Sequence, residues 1–314
     1  MDKFYIGVDL GGTRIKIGLV SEDKVIEKRI VPASPHGGLD NNLNAIKVEI
    51  NGLLRSNNCH ADDLAGIALG FPGLVNSVSK TILSTNNKYD DALGMDMEKW
   101  ASDIWNVPFF IDNDARMAAV GEWKSGAAMD TDNFVSVTFG TGIGTAVMME
   151  GKLLRGKHFQ AGCLGGHFSV NFHGRECTCG NVGCLETYAS TWAVRERIIS
   201  DKRYKNSLLS SVPVIDFENL FMAAKLKDEL ATEVRNDCLD AWSTGIISLI
   251  HAYDPDVVVL GGGAMNNDAE ILPYVTKRIH EHAWTPWGKV SIRPTTLLSN
   301  AGILGAAYCL RYKI

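Results

Sequence analysis

One pattern occurs twice in this chain and limits what it can fold into: a β-prone strand, a glycine-rich turn, and a second strand running back. Phe4 to Leu10 is apolar, Gly11-Gly12 turns, and Ile15 to Val20 returns. In the second half, Phe134 to Thr138 leads into Gly140-Thr141-Gly142 and then Thr145 to Met149. A short third strand follows each hairpin, Lys24-Val25-Ile26 in one half and Lys152-Leu153-Leu154 in the other. Strand-like runs at Leu64 to Leu69, Val107 to Ile111 and Val257 to Leu260 alternate with helical spacing at Leu43 to Leu54 and Ala115 to Trp123. Such a chain is predicted to be an α/β protein built from a duplicated unit. The expected boundaries are 1–115 plus 301–314 for a smaller N-terminal α/β domain and 116–300 for a larger C-terminal one. The last helix, Gly302 to Tyr312, is expected to return to the first half, and the charged stretch 202–232 to form surface helices and loops.

Composition removes several classes of function. The 314 residues, 46% hydrophobic and 21% charged, suffice for two buried cores. Lys plus Arg number 31 against 36 Asp plus Glu, and a net charge of −5 lacks the basic footprint that nucleic-acid binding draws on. No apolar run approaches the roughly 20 residues that span a bilayer. Met1-Asp2-Lys3 leads straight into the first strand without a leader-like charged region. The expectation is a cytoplasmic protein with neither nucleic-acid nor membrane partners.

Three constellations could carry chemistry. The first is the pair of glycine turns, because polyphosphate needs close backbone approach and N–H donors. Thr13 and Thr141 add hydroxyls, Gly261-Gly262-Gly263 follows a buried strand, and Asp9 could hold a metal–phosphate unit through water. Tight hairpins also use glycine for purely structural reasons. No Walker-type lysine motif and no dinucleotide fingerprint is present. The second is Asn113-Asp114, between a strand and a helix. Asp there can be a simple N-cap, or a base for an incoming alcohol that the helix dipole keeps ionised. Asp112, two residues earlier, should face the other way.

The third is His167 with Cys177-Thr178-Cys179-Gly180-Asn181-Val182-Gly183-Cys184-Leu185-Glu186. Three of the seven cysteines fall here; one His and three Cys match a closed tetrahedral zinc site, with the glycines folding the backbone around it. Four protein ligands leave no open position, so such a zinc would shape the site and not activate water. The alternative is a cluster of buried thiols beside a core histidine. Trp284 and Trp287 could stack on a sugar, but are expected to pack in the core.

Asp9-Leu10-Gly11-Gly12-Thr13-Arg14-Ile15-Lys16, the Gly70-to-Gly73 turn, Asn113-Asp114, the Thr138-to-Gly144 turn and Cys177-to-Glu186 together resemble the ROK family of repressors, open reading frames and sugar kinases. The resemblance runs in order over most of the chain. It implies an actin-like ATPase fold, two α/β domains about a cleft, and transfer of the ATP γ-phosphate to a hexose hydroxyl, usually at C6. By that resemblance Asp114 is the catalytic base, and Gly73, Thr85, Asn86, Asn113, Asp114, Glu122, His167 and Glu186 contact the sugar. Asp9, Gly11, Gly12, Thr13, Lys16, Thr138, Gly140, Thr141, Gly142 and Gly262 serve ATP and Mg²⁺. His167, Cys177, Cys179 and Cys184 bind structural Zn²⁺, and a homodimer is expected.

This chain departs from the family pattern twice. The Glu of the family's Glu-x-Gly-His motif is Leu164 here, and the second glycine of the later turn's Gly-Gly is Thr145. Loss of that acceptor, with Gly165 and Gly166 expected to add room, predicts looser demands at the sugar's C1–C2 edge. A sugar-sensing regulator and a non-catalytic binding protein are the alternatives. Regulators of the family carry an N-terminal helix-turn-helix, for which a strand beginning at Phe4 is expected to leave no room.

Overall fold

Apolar residues alternate along β1 (Phe4–Leu10), where Ile6, Val8 and Leu10 are fully buried in the computed structural model, which describes residues 3–85 and 87–314. β1 pairs antiparallel with β2 (Arg14–Ser21), from Phe4 opposite Ser21 to Leu10 opposite Ile15, and β2 pairs with β3 (Lys24–Pro32). Then follow α1 (Leu39–Ser56), β4 (Leu64–Phe71), the small hairpin of β5 (Leu74–Asn76) and β6 (Thr81–Ser84), and α2 (Met97–Trp105). β7 (Phe109–Asn113) runs directly into α3 (Asp114–Ser125). The pattern restarts with β8 (Phe134–Phe139), β9 (Ile143–Met149) and β10 (Lys152–Leu153). Four helices come next, α4 (Glu186–Ala189), α5 (Thr191–Ser200), α6 (Phe217–Lys225) and α7 (Glu229–Tyr253). The chain closes with β11 (Val257–Gly261), α8 (Asp268–His282), β12 (Ser291–Pro294) and α9 (Ala301–Tyr312).

The duplication lies in the strand order. One sheet runs β3-β2-β1-β4-β7 and the other β10-β9-β8-β11-β12. In each, the opening hairpin is antiparallel and the next two strands add in parallel. Contacts group the chain into two units, Met1–Asp132 with Gly151–Cys163 and Thr296–Ile314, and Asn133–Glu150 with Leu164–Thr295.

In the first unit, Leu43, Ile46, Ile50 and Leu53 of α1 join Ile6, Val8, Ile15, Ile17 and Leu69 in one core. On the sheet's other side, β1 and β2 leave space with Gly7 and Gly18, and Ile303 of α9 fills it. α9 also crosses α3 closely: a side chain at Gly305 would strike the Met117 carbonyl, and one at Gly121 the Ala301 carbonyl. That crossing keeps α3, and so Asp114, in the first unit. In the second unit Phe139 stacks on Trp242, ring centroids 4.5 Å apart, and the Trp242 indole donates to the Ala189 carbonyl at 2.9 Å. The charged stretch 202–232 is less superficial than its composition predicts, because α6 buries Phe217, Leu220 and Phe221. Trp284 and Trp287 correct the expectation of core packing: they are 82% and 54% exposed in the loop after α8.

Candidate active site

β7 ends and α3 begins without an intervening loop, which fixes two adjacent side chains in different jobs. Asn113 is the N-cap, its side-chain oxygen accepting from the Arg116 N–H, while its amide donates to the Gly73 carbonyl and to Asp114 Oδ1, both at 3.1 Å. The capping role read for Asp114 therefore belongs to its neighbour. Asp114 Oδ1 accepts from the Ala115 N–H at 2.8 Å, and Oδ2 makes no hydrogen bond among the described residues. The helix dipole does not dominate its ionisation, contrary to expectation. Burial first, and the Asp9 carboxylate second, push Asp114 up to about 7; the Ala115 N–H and the Lys88 and Lys16 ammoniums oppose them.

Asp112 points elsewhere, fully buried between Arg116 at 3.3 Å and Arg155 at 2.8 Å. Arg116 in turn donates to the Phe159 and Ala161 carbonyls. Glu122, another residue expected to contact the sugar, accepts hydrogen bonds within the first unit. It is 1% exposed, and its carboxylate accepts from the N–H groups of Ala127, Thr296 and Leu297, so it fastens the start of the C-terminal segment.

The β1–β2 turn is closed by the Gly11 N–H donating to the Arg14 carbonyl. Asp9 stands just before it, bonded through Oδ2 to Lys16 Nζ at 2.7 Å. Loop 85–90 is fastened to the same turn. Tyr89, fully buried with a left-handed backbone, donates from its hydroxyl to the Gly11 carbonyl at 2.7 Å. Thr85 is buried and donates to Asp90, and Gly73 offers its carbonyl to Asn113. Asn86 lies outside the described residues. Lys88 and Tyr89 belong to no motif and have no periodicity; their role emerges only from where the loop is pinned.

The second unit repeats the turn. The Gly140 N–H donates to the Gly142 carbonyl, and the Gly140 carbonyl accepts from the backbone and hydroxyl of Thr191. Thr138 donates to the Gly144 carbonyl, Thr141 is exposed, and Gly262 follows β11 at φ 88°. Glu186, at the start of α4, accepts from the Ile143 N–H at 2.8 Å and from the Trp192 indole. Thr145 is fully buried and its hydroxyl accepts from the Gly165 N–H at 2.8 Å, tying β9 to the turn that carries His167. Gly165 and Gly166 do not create room. Both are buried, and a side chain at Gly166 would sit 2.2 Å from the Ile143 carbonyl. They allow close packing beneath a half-buried Leu164.

His167, Cys177, Cys179 and Cys184 converge, their ligating atoms all within 4.8 Å of one another. His167 Nδ1 is 3.5 Å from Cys177 Sγ, and the Cys179 and Cys184 sulfurs are 3.7 Å apart. Sulfurs around tetrahedral zinc, each ~2.3 Å from the metal, stand ~3.8 Å apart. Gly180 and Gly183 take φ of 87° and 71°, which bends the backbone around the cluster. Burial raises the Cys177 and Cys184 thiols. The donor set fits Zn²⁺.

Two sheets of the same strand order, each opening on a strand–glycine turn–strand hairpin, define this chain as an actin-like ATPase fold. The chain belongs to the ROK family, whose sequence profile matches residues 5–313. It is 29% identical to a glucokinase of Thermotoga maritima over 316 residues, covering 98% of each chain. A Bacillus subtilis xylose repressor is 28% identical over 243 residues, 77% of this chain and 60% of the repressor. The crystal structure of a Streptomyces griseus ROK family glucokinase, in complex with glucose and AMPPNP, superposes with a TM-score of 0.84 at 26% identity. That match covers 98% of this chain and 99% of the glucokinase. Among the described residues no helix is long and apolar enough to cross a membrane.

Proposed function

We propose that the protein is an ATP-dependent hexose kinase that phosphorylates a sugar hydroxyl, the 6-hydroxyl of glucose or a related hexose, with Asp114 as general base. The observation that carries this reading is the free Oδ2 of Asp114, on a carboxyl ionising at about 7, in the same unit as the Asp9-to-Thr13 turn. The chain-long likeness to a glucokinase agrees with it. Asp114 takes the hydroxyl proton while the sugar oxygen attacks the γ-phosphorus and the bond to ADP breaks.

Asn113 positions both the sugar and Asp114, with Gly73 and Thr85 shaping the same edge. Gly11, Gly12, Thr13 and Lys16, and likewise Thr138, Gly140, Thr141, Gly142 and Gly262, serve the nucleotide. Asp9 keeps one oxygen free of hydrogen bonds among the described residues, which suits a water-bridged Mg²⁺. Bound there, Mg²⁺ would neutralise phosphate charge. With Nδ1 of His167 turned to the cysteines, Nε2 remains to meet a sugar hydroxyl, and zinc would fix the ring's orientation. Glu186 sits at the junction of the second turn and the zinc loop.

The xylose repressor's likeness favours a second reading, sugar sensing without turnover. A coupled ADP-release assay over hexoses varied at C1 and C2 separates the two. The kinase reading expects turnover with at least one hexose and tolerance at C1 and C2, because Leu164 offers no acceptor there. Leu164→Glu should narrow the panel toward unsubstituted glucose. Sugar binding by calorimetry with no ADP release from any hexose is the regulator's result.

A further inference from the structure

Lys88 is the one lysine near the phosphate turn, among the described residues, whose ammonium makes neither a hydrogen bond nor an ion pair. Lys16, its neighbour in charge, is committed to Asp9. The stem of Lys88 lies across the turn, with Cε 3.7 Å and Nζ 3.8 Å from where a side chain on Gly12 would begin. The position is held from both sides. The Lys88 N–H donates to the Thr85 carbonyl, the Tyr89 N–H to the Pro35 carbonyl, and the Tyr89 hydroxyl to Gly11 itself. A half-buried cation that makes no ion pair, beside a backbone that can cradle phosphate, is placed to meet an anion, and in the same unit its field reaches Asp114.

We propose that Lys88 is a catalytic residue that binds the transferring phosphoryl group, its ammonium moving with that group from the Gly11–Gly12 turn toward the hydroxyl beside Asp114. This inference rests on the kinase reading. In the step, the bond from the sugar oxygen to the γ-phosphorus forms and the bond from phosphorus to the ADP oxygen breaks. The hydroxyl proton passes to Asp114, and ADP leaves with the electron pair of the broken bond. Lys88 exchanges no proton; it stabilises charge on the phosphoryl oxygens, as an arginine supplied in cis does in other phosphoryl-transfer enzymes.

The test compares wild type, Lys88→Met, which keeps the stem and loses the charge, and Lys88→Arg. Two measurements are made on each: steady-state kinetics with the best hexose, and titration with Mg·AMPPNP and Mg·ADP. The expected result for Lys88→Met is a kcat lower by about 10²–10³-fold, with the sugar KM within about threefold and an unchanged melting temperature. Lys88→Arg should recover part of the loss. A Lys88→Met kcat within about threefold of wild type overturns the proposal. If wild type turns over no hexose, the kinase reading fails and the titration alone decides. Weaker AMPPNP binding by about tenfold, with ADP binding unchanged, would keep Lys88 as the γ-phosphate ligand. Equal effects on both nucleotides, or none, would remove it.

Discussion

Asp114 carries two predictions because its carboxyl ionises near neutrality and Asn113 already caps α3. Asp114→Asn keeps the helix capped and should lower kcat by about 10²–10⁴-fold with little change in sugar KM. In wild type, kcat/KM should rise as pH passes through about 7, since kcat/KM reports the free enzyme's ionisation and the base works only when ionised, and this acid limb should be absent from the variant's residual rate. Stability follows the opposite sign. A carboxyl raised on folding favours the native state most below its unfolded value, and that contribution disappears as pH rises through about 7. Melting curves from pH 4 to pH 8 should therefore fall more steeply for wild type than for Asp114→Asn; parallel curves would show that folding does not perturb this carboxyl. The residue was legible in the sequence as a polar pair closing a strand. Its ionisation was not, because the Asp9 carboxylate and the burial that raise it come from tertiary packing.

Elements made of short apolar, β-prone runs or of helical spacing were readable, and those positioned by distant partners were not. β1, β2, β8 and β9 follow from such runs on either side of glycine turns. That α3 belongs with the first unit depends on its crossing with α9, where Gly121 and Gly305 sit far apart in sequence. A side chain at 305 would lie 1.6 Å from the Met117 carbonyl, a contact backbone cannot relieve cheaply. Gly305→Val should cost about 3 kcal/mol in urea unfolding, at the upper end for overpacking, and unchanged stability would mean the helices part freely. The convergence of His167 with Cys177, Cys179 and Cys184 was legible, because residue type and spacing are largely local; the role of Gly165 and Gly166 was not, because Ile143 and Thr145 close over them. Elemental analysis of protein purified without added metal should find one zinc per chain. Chelation should lower stability by about 4 kcal/mol if zinc is held a thousandfold above its dissociation constant. Metal-free protein with an unchanged melting temperature would contradict the assignment.

For the whole molecule, duplication explains why two glycine turns occur in one chain and why the two sheets share a strand order. Each turn alone is a common hairpin; two of them, followed by a third glycine run after β11, make a polyphosphate ligand the economical explanation. A net charge of −5 lacks the basic footprint that a polyanion bound across a broad surface would draw on. Family membership alone leaves both kinase and repressor relatives in view, so the chemistry has to be measured. The most direct measurement is mass spectrometry of a hexose panel incubated with the protein, ATP and Mg²⁺, with ADP quantified in the same samples. A hexose kinase with Asp114 as its base predicts a hexose monophosphate formed one for one with ADP, and its loss in Asp114→Asn. Sugar bound without any hexose monophosphate, or the same product yield from Asp114→Asn, would contradict it.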